Sequence, residues 1–281
     1  MPDNKIKGTI KFNALGDSTP NGKLCVGLHQ QSQQSMQAMI LAAGLGTRLY
    51  PLTLTKPKAL AEVEGVPLLE IIMRNLKRYG FRRVVVNIHH FAGQVQSFLE
   101  SNQNFGLDVV LSDETGELLN TGGGLKKAAP LFDEGPILVH NVDILTSLNL
   151  KSIYNHHRLS GSPVTLAVKE RPTTRSLIVG NNGYLCGWTD HTTGEVRMPG
   201  TWATETHKIA FSAIHVVERD ILLKAQETGA FSILDTYLRL AATPCVLTYN
   251  HNNDIWMDMG RLQHLQEAAV VLHQILQPGE A

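Results

Sequence analysis

The chain has 281 residues, 43% of them apolar and 18% charged. That is enough to bury a core without disulfide or metal staples, in one large α/β domain or two small ones. Lys plus Arg and Asp plus Glu each number 25, and a zero formal charge argues against a dedicated nucleic-acid or anionic-membrane binder, whose affinity leans on excess positive charge. Cys25, Cys186 and Cys245 lie far apart and form no C-x-x-C, so a zinc ribbon is not expected and a reducing, cytoplasmic compartment is. No apolar run approaches the ~20 residues of a membrane span, and Met1 to Gln37 holds no apolar stretch of the kind a secretory signal needs.

Residues 1–37 read as an N-terminal extension of open role. Ile6 to Phe12 and Leu24 to Leu28 flank a turn cluster at Gly16 to Gly22 and suit a small hairpin, followed by a polar linker from Gln30 to Ser35. The main domain is expected over 38–281. Ala38 to Ala43 is a short apolar run of the kind that forms a strand buried on both faces. A glycine-rich turn follows. Leu68, Leu69, Ile72 and Leu76 recur at helical spacing before Gly80, a helix-ending residue. Arg83 to Ile88 reads as the next strand, Phe91, Val95, Phe98 and Leu99 as one helix face, Leu107 to Leu111 as a strand, Gly122 to Leu131 as a helix, and Pro136 to His140 as a strand.

Beyond about residue 160 the pattern loosens. Short strands are expected at Val164 to Val168, Leu177 to Val179 and Leu185 to Trp188, and a longer one at Ile209 to Val217. Helices are expected at Asp220 to Thr228, Ile233 to Ala242 and Arg261 to Leu276. Strands alternating with helices imply a mainly parallel, Rossmann-like sheet flanked by helices, with a ligand site along the C-terminal edge of its strands.

The strongest local signal is Leu41-Ala42-Ala43-Gly44-Leu45-Gly46-Thr47-Arg48-Leu49. A buried strand running into glycines frees backbone N–H groups to meet an anion. It is not a Walker A loop: Gly16 and Gly22 are wrongly spaced, and Leu24 stands where Ser or Thr is required. It departs from the dinucleotide fingerprint at Leu49, although Glu62 and Glu64 stand near the distance of a ribose contact. Arg48, just past the turn, and Lys58, at the end of a stretch stiffened by Pro51 and Pro57, would place cations beside a polyphosphate. The plainer alternatives are a tight turn and solvated charges.

The run Ala38 to Leu49, with Pro51-Leu52-Thr53 and Lys56-Pro57-Lys58, resembles the signature of the sugar-1-phosphate nucleotidyltransferases. Further down, Glu117 to Leu125 resembles their second nucleotide-binding segment, and His140-Asn141-Val142-Asp143 the strand end that carries a metal-binding aspartate. Phe211 to Val216 resembles a sugar-site strand, and Trp256-Met257-Asp258-Met259-Gly260 the motif with the second metal aspartate. The match runs in order through residues 38 to 275. Within the family it is most similar to the N-acetylmuramate-1-phosphate uridylyltransferases, through Thr121-Gly122-Gly123-Gly124 and Val86-Asn87-Ile88-His89-His90, with mannose- and heptose-1-phosphate guanylyltransferases close behind. The resemblance implies the nucleotide-diphospho-sugar transferase fold without a C-terminal β-helix.

The same resemblance implies the reaction and the roles. An NTP (UTP or GTP) and a sugar 1-phosphate give an NDP-sugar and pyrophosphate, by in-line attack at the α-phosphate, with Mg²⁺ as cofactor. Arg48, Lys58 and Asp143 are the implied catalytic residues. Leu41, Ala43, Gly44, Gly46, Thr47, Arg48, Thr121 and Gly122 are the implied nucleotide contacts, Asn141 and Ser212 the sugar contacts, and Asp143 and Asp258 the metal ligands. Without the resemblance, Asp143 and Asp258 read equally as turn or helix-cap residues and Gly122 to Gly124 as a plain turn. His89 and His90, expected in a strand, would point to opposite faces and read as structural. The sequence departs from the family pattern at Ala59, Asn120, Val142, Ala213 and Arg261, and Arg171 or Arg175 is available as a sugar-phosphate clamp. A non-catalytic nucleotide-sugar sensor and a nicotinamide oxidoreductase are the competing classes. The intact cations and carboxylates argue against the first, and the missing third glycine against the second. Oligomeric state is open.

Overall fold

The computed structural model describes residues 35–200 and 202–276. The expected N-terminal hairpin and linker, and Cys25, lie outside the described residues. The first strand, β1 (Met36–Leu41), starts two residues earlier than the apolar run suggested. Its polar second residue explains this. Gln37 is buried, and its amide exchanges two hydrogen bonds of 3.0 Å with the backbone of Asp133, so it behaves as an interior residue. After the glycine-rich turn, a tight hairpin of β2 (Glu62–Val63) and β3 (Val66–Pro67) leads into α1 (Leu68–Arg78). Then come β4 (Phe81–Ile88), α2 (Ala92–Ser101), β5 (Asp108–Asp113), α3 (Asn120–Ala128) and β6 (Pro136–Asn141).

The second half holds β7 (Ile144–Thr146), α4 (Leu150–Ser160), β8 (Val164–Lys169), β9 (Arg175–Gly180), β10 (Leu185–Asp190) and β11 (Val196–Arg197). The long β12 (Thr206–Glu218) is followed by α5 (Arg219–Leu223), α6 (Ile233–Leu240), β13 (Val246–Asn250), β14 (Trp256–Asp258) and α7 (Leu262–Leu276). The helix expected over Asp220 to Thr228 stops at Leu223. Lys126 Nζ takes the carbonyls of Ala225 and Glu227, each at 2.7 Å, and so holds that stretch out of a helix.

The sheet runs β11-β10-β9-β12-β6-β1-β4-β5, with β8 against β12 and β13 against β8. Strands β5, β4, β1 and β6 are mutually parallel, whereas β12 is antiparallel to β6. Alternation divides the core. Ala38 and Ile40 of β1 and Val84 and Val86 of β4 face one layer, with α1, α2 and α4. Met39 and Val85 face the other, with α3 and α6. A third cluster joins Leu49, Val63 and Leu68 to the inner face of α7. The parallel register sets the ends of β1, β4 and β6 side by side, pairing Leu41 with both Asn87 and Asn141. This is the edge where an open α/β sheet binds its ligand.

Candidate active site

A cavity of about 370 Å³ opens at that edge. Leu41, Ala43 and Gly44 line it from the glycine-rich turn, Thr121 from the start of α3, and Lys58, Asn141 and Asp143 from beside the metal-aspartate motif. Seven expected site residues, distant in sequence, thus share one wall. Asn87, Glu114, Leu118, Asn120, Val142 and Ser232 complete it.

The turn is shaped by Gly46. Its φ is +67°, and a Cβ there would press within 3.0 Å of both Lys58 Cβ and Thr53 Cγ2. Thr53 Oγ1 donates to its carbonyl at 2.8 Å, which ties the turn to the proline-flanked segment. The N–H groups of Gly44, Leu45 and Gly46 donate to no acceptor among the described residues. A Cβ at Gly44 would meet nothing within 4 Å, so the space beside those donors is open.

Pro57 leads into a single 3₁₀ turn, Lys58–Leu60, that aims Lys58 inward. Its ammonium is ion-paired to Asp143 Oδ2, with both side chains largely buried. Arg48 stands at 3.7 Å from Asp258 Oδ2 and keeps 58% of its side chain exposed, so this second pair contributes little stability by itself. Asp258 Oδ1 also accepts the Gly260 N–H at 2.8 Å. Gly260 leaves room for this pair: a Cβ would fall 2.6 Å from Arg48 Nη2 and 2.8 Å from Asp258 Oδ1, and the two side chains would have to shift. The two aspartates are brought together by backbone. Strand β14 pairs with β7, matching Asp258 to Ile144, and Met259 N donates to the Asp143 carbonyl at 2.7 Å. Neither caps a helix.

Of the remaining expected residues, Thr47 and Arg48 follow the turn outside the cavity wall. Gly122 is buried, donates its N–H to the Phe231 carbonyl at 2.8 Å, and would put a Cβ 2.2 Å from the Phe231 ring. Ser212 is fully buried, its hydroxyl paired with His251 Nε2 at 2.7 Å and its carbonyl with the Trp256 indole at 2.9 Å. Arg171 stacks on Trp256 at 3.8 Å and donates to the Phe211 carbonyl, whereas Arg175 is held away by Asp190 at 2.9 Å. His89 and His90 lie beyond the end of β4 rather than in a strand, so alternation does not govern them; His89 Nδ1 meets the Glu114 carbonyl at 2.6 Å. His140, behind the site, is pushed down to about 4 by burial and is neutral near pH 7.

Two departures from the family pattern have a backbone meaning. Asn120 and Ala213 both have φ of +56°, the region glycine prefers. Asn enters it readily. Ala213 sits where the pairing of β12 with β8 shifts register. Val142 needs no such freedom: it is core, and its N–H donates to the Leu41 carbonyl at 3.1 Å.

Sequence reasoning assigned no role to Glu114 or Ser232, and it placed Asn87 and Leu118 only within family motifs, with no role of their own. Asn87 carried a legible signal, a lone amide in the buried run Val84-Val85-Val86-Asn87-Ile88. Glu114 carried none.

The family model for nucleotidyl transferases matches residues 37–177. An N-acetylmuramate alpha-1-phosphate uridylyltransferase of Caulobacter vibrioides is 34% identical over 233 residues, 82% of this chain and 93% of that protein. A mannose-1-phosphate guanyltransferase of Gibberella zeae is 31% identical over 154 residues, 53% of this chain and 42% of that protein. Among solved structures, HddC from Yersinia pseudotuberculosis complexed with GMP-PN aligns with a TM-score of 0.67 at 20% identity, covering 84% of this chain and 98% of that one. The chain belongs to the nucleotidyl transferase family, in its sugar-1-phosphate branch. The fold is the nucleotide-diphospho-sugar transferase fold, and no helix among the described residues is long and apolar enough to cross a membrane.

Proposed function

We propose that the chain is a cytoplasmic, Mg²⁺-dependent uridylyltransferase that converts UTP and N-acetylmuramate 1-phosphate to the UDP-sugar and pyrophosphate. The observation that carries the chemistry is the double pairing of Lys58 with Asp143 and Arg48 with Asp258 beside the glycine-rich turn. Two cations for phosphates and two carboxylates for a metal stand within one site. The choice of base and sugar rests on the extent of similarity: the match spans 93% of the N-acetylmuramate relative, against 42% of the mannose relative.

The donor set suits Mg²⁺, which takes one or two carboxylates together with phosphate oxygens and waters. Asp143, in the turn between β6 and β7, and Asp258, at the end of β14, supply hard oxygens, and among the described residues no larger His, Cys, Asp and Glu cluster competes. When bound, the metal supplies positive charge to the phosphates. The protein's own part is positioning and electrostatics. The N–H groups of Gly44, Leu45 and Gly46 receive the polyphosphate, with Leu41, Ala43 and Thr47 framing it. Lys58 neutralises charge at the α-phosphate as the sugar-phosphate oxygen bonds to it and the bond to the β-phosphate oxygen breaks. Arg48 holds the departing pyrophosphate. The nucleophile is already an anion, so no general base is needed. Thr121 and Gly122 border the base and ribose, and Asn141 faces the sugar. Ser212 enters as a buried support for the Trp256 and His251 side of the sugar pocket.

Pyrophosphate release across four NTPs and the 1-phosphates of N-acetylmuramate, N-acetylglucosamine, mannose and glucose tests this. The expected result is one dominant combination, UTP with N-acetylmuramate 1-phosphate, lost on Asp143→Asn. Dominance of GTP with mannose 1-phosphate would overturn the proposed base and sugar.

A further inference from the structure

Asn87 and Glu114 stand where the sequence would be expected to place apolar side chains. Asn87 lies in a valine run at the end of β4 and is 3% exposed; Glu114 follows β5 and is 0% exposed. Burying a carboxylate and an amide is costly unless each polar atom is matched. Here they match each other. Asn87 Nδ2 donates to Glu114 Oε1 at 2.7 Å. Asn87 Oδ1 accepts the N–H of Ala42 at 2.6 Å and that of Ala43 at 3.3 Å. Glu114 Oε2 accepts the N–H of Leu119 at 3.2 Å. The base of Glu114 is pinned as well, by its own N–H to the Ile88 carbonyl at 2.8 Å.

The links run in two directions. On one side they grip Ala42 and Ala43, immediately before the N–H groups of Gly44, Leu45 and Gly46 in the glycine-rich turn. On the other they grip Leu119, immediately before Asn120 and Thr121. Those are the two walls between which a nucleotide would lie, and both clasping side chains line the same cavity. The third glycine of the triple-glycine run is shaped around the clasp: a Cβ at Gly124 would fall 2.6 Å from Glu114 Oε1 and 3.1 Å from Asn87 Nδ2.

We infer that Asn87 and Glu114 are a positioning pair that sets the spacing between the glycine-rich turn and the start of α3, and thereby the fit of the nucleotide. The inference rests on the proposed reading of the cavity as the nucleotide site. Neither residue needs to touch the reacting atoms.

The hydrogen-bond directions give a sharp test. Asn87→Asp alone sets two carboxylates against each other in a buried site. Glu114→Gln alone aims an NH₂ group at a donor, either the Asn87 amide or the Leu119 N–H. The double variant restores every bond and reverses only the one between the two side chains: the carboxylate brought in by Asn87→Asp would accept from the Ala42 N–H, as Asn87 does, and from the amide brought in by Glu114→Gln, whose oxygen would accept from the Leu119 N–H, as Glu114 does. UTP binding with Mg²⁺, without a sugar phosphate, is measured by calorimetry on the full chain and its three variants, together with Tm and the KM of both substrates.

Each single variant is expected to weaken UTP binding by about 10–100-fold, the scale of a small misplacement of binding groups. The KM for the sugar 1-phosphate should move far less, and the double variant should return close to the parent in UTP affinity. Singles that bind UTP like the parent while only Tm falls would overturn the inference, because the pair would then hold the fold and not the nucleotide. So would a double variant no better than the singles. Should a single variant not fold, Gly124→Ala, which crowds the carboxylate but keeps both side chains, takes its place with the same expected loss. A parent that binds no NTP would overturn the nucleotide reading itself, and the positioning role with it.

Discussion

Lys58 shows how a common surface residue type comes to line a cavity. Pro57 fixes the approach, a 3₁₀ turn presents the side chain, and Gly46 leaves room for the lysine stem, because a Cβ there would stand 3.0 Å from Lys58 Cβ. Lys58→Met is expected to lower kcat by about 10²–10³, the usual loss when one charge-stabilising donor is removed. Pyrophosphate release under saturating substrates reads this, and a loss below tenfold would argue against a role at the α-phosphate. Gly46→Ala combines a positive φ with that close contact. It should cost about 1–2 kcal/mol from the left-handed backbone alone, seen as a lower urea midpoint, and should weaken NTP binding further because the turn moves.

At the scale of elements, the triple glycine behaves as a packing surface as much as a turn. A Cβ at Gly123 would lie 2.3 Å from the Gly229 carbonyl oxygen, a backbone atom that cannot rotate aside. Gly123→Ala should therefore destabilise the fold by about 1–3 kcal/mol through overpacking, lowering Tm by several degrees in a thermal melt. The sequence exposed the run of glycines but not its partner, because the 229–233 segment that packs on it lies a hundred residues away. Strands β1, β4 and β6 were legible because each contains a short apolar run, Ala38 to Leu41, Val84 to Val86 and Ile137 to Val139. Helix α4 carried its own punctuation, with Asn149 accepting from Ser152 N at the start and Gly161 at φ +65° after the end, yet its weak apolar pattern left it unread. The Asp220 to Thr228 helix was over-extended for the opposite reason: local propensity favoured it, and Lys126 from another element took its carbonyls.

For the whole molecule, three buried histidines predict acid sensitivity. Burial pushes His215 down to about 3, and His140 and His251 to about 4, from an ordinary value of 6.5. Between pH 6.5 and those values the unfolded chain binds protons that the folded chain does not. Stability is therefore full above pH 6.5 and is lost on acidification, by up to about 1.4 kcal/mol per pH unit for each histidine. Among the described residues, His215 has no hydrogen-bond partner on either ring nitrogen, so His215→Leu is expected to flatten the slope of the urea midpoint between pH 6.5 and 5. An unchanged slope would mean that His215 is not a source of the acid sensitivity.

The sequence by itself determined the parallel half of the sheet and the glycine-rich turn with Arg48 and Lys58 close behind it, because apolar runs and glycine turns are local patterns; Asp143 and Asp258 were singled out only through the family resemblance. The family resemblance then ordered motifs that periodicity could not join. Tertiary structure decided what those residues touch. Lys58 meets Asp143 across 85 positions, and the pairing of β14 with β7 seats Asp258 beside it. It also decided that Asn87 and Glu114 form one buried unit. Each is a polar residue whose burial is tolerable only in the presence of the other, and no window of sequence contains both the cost and its compensation.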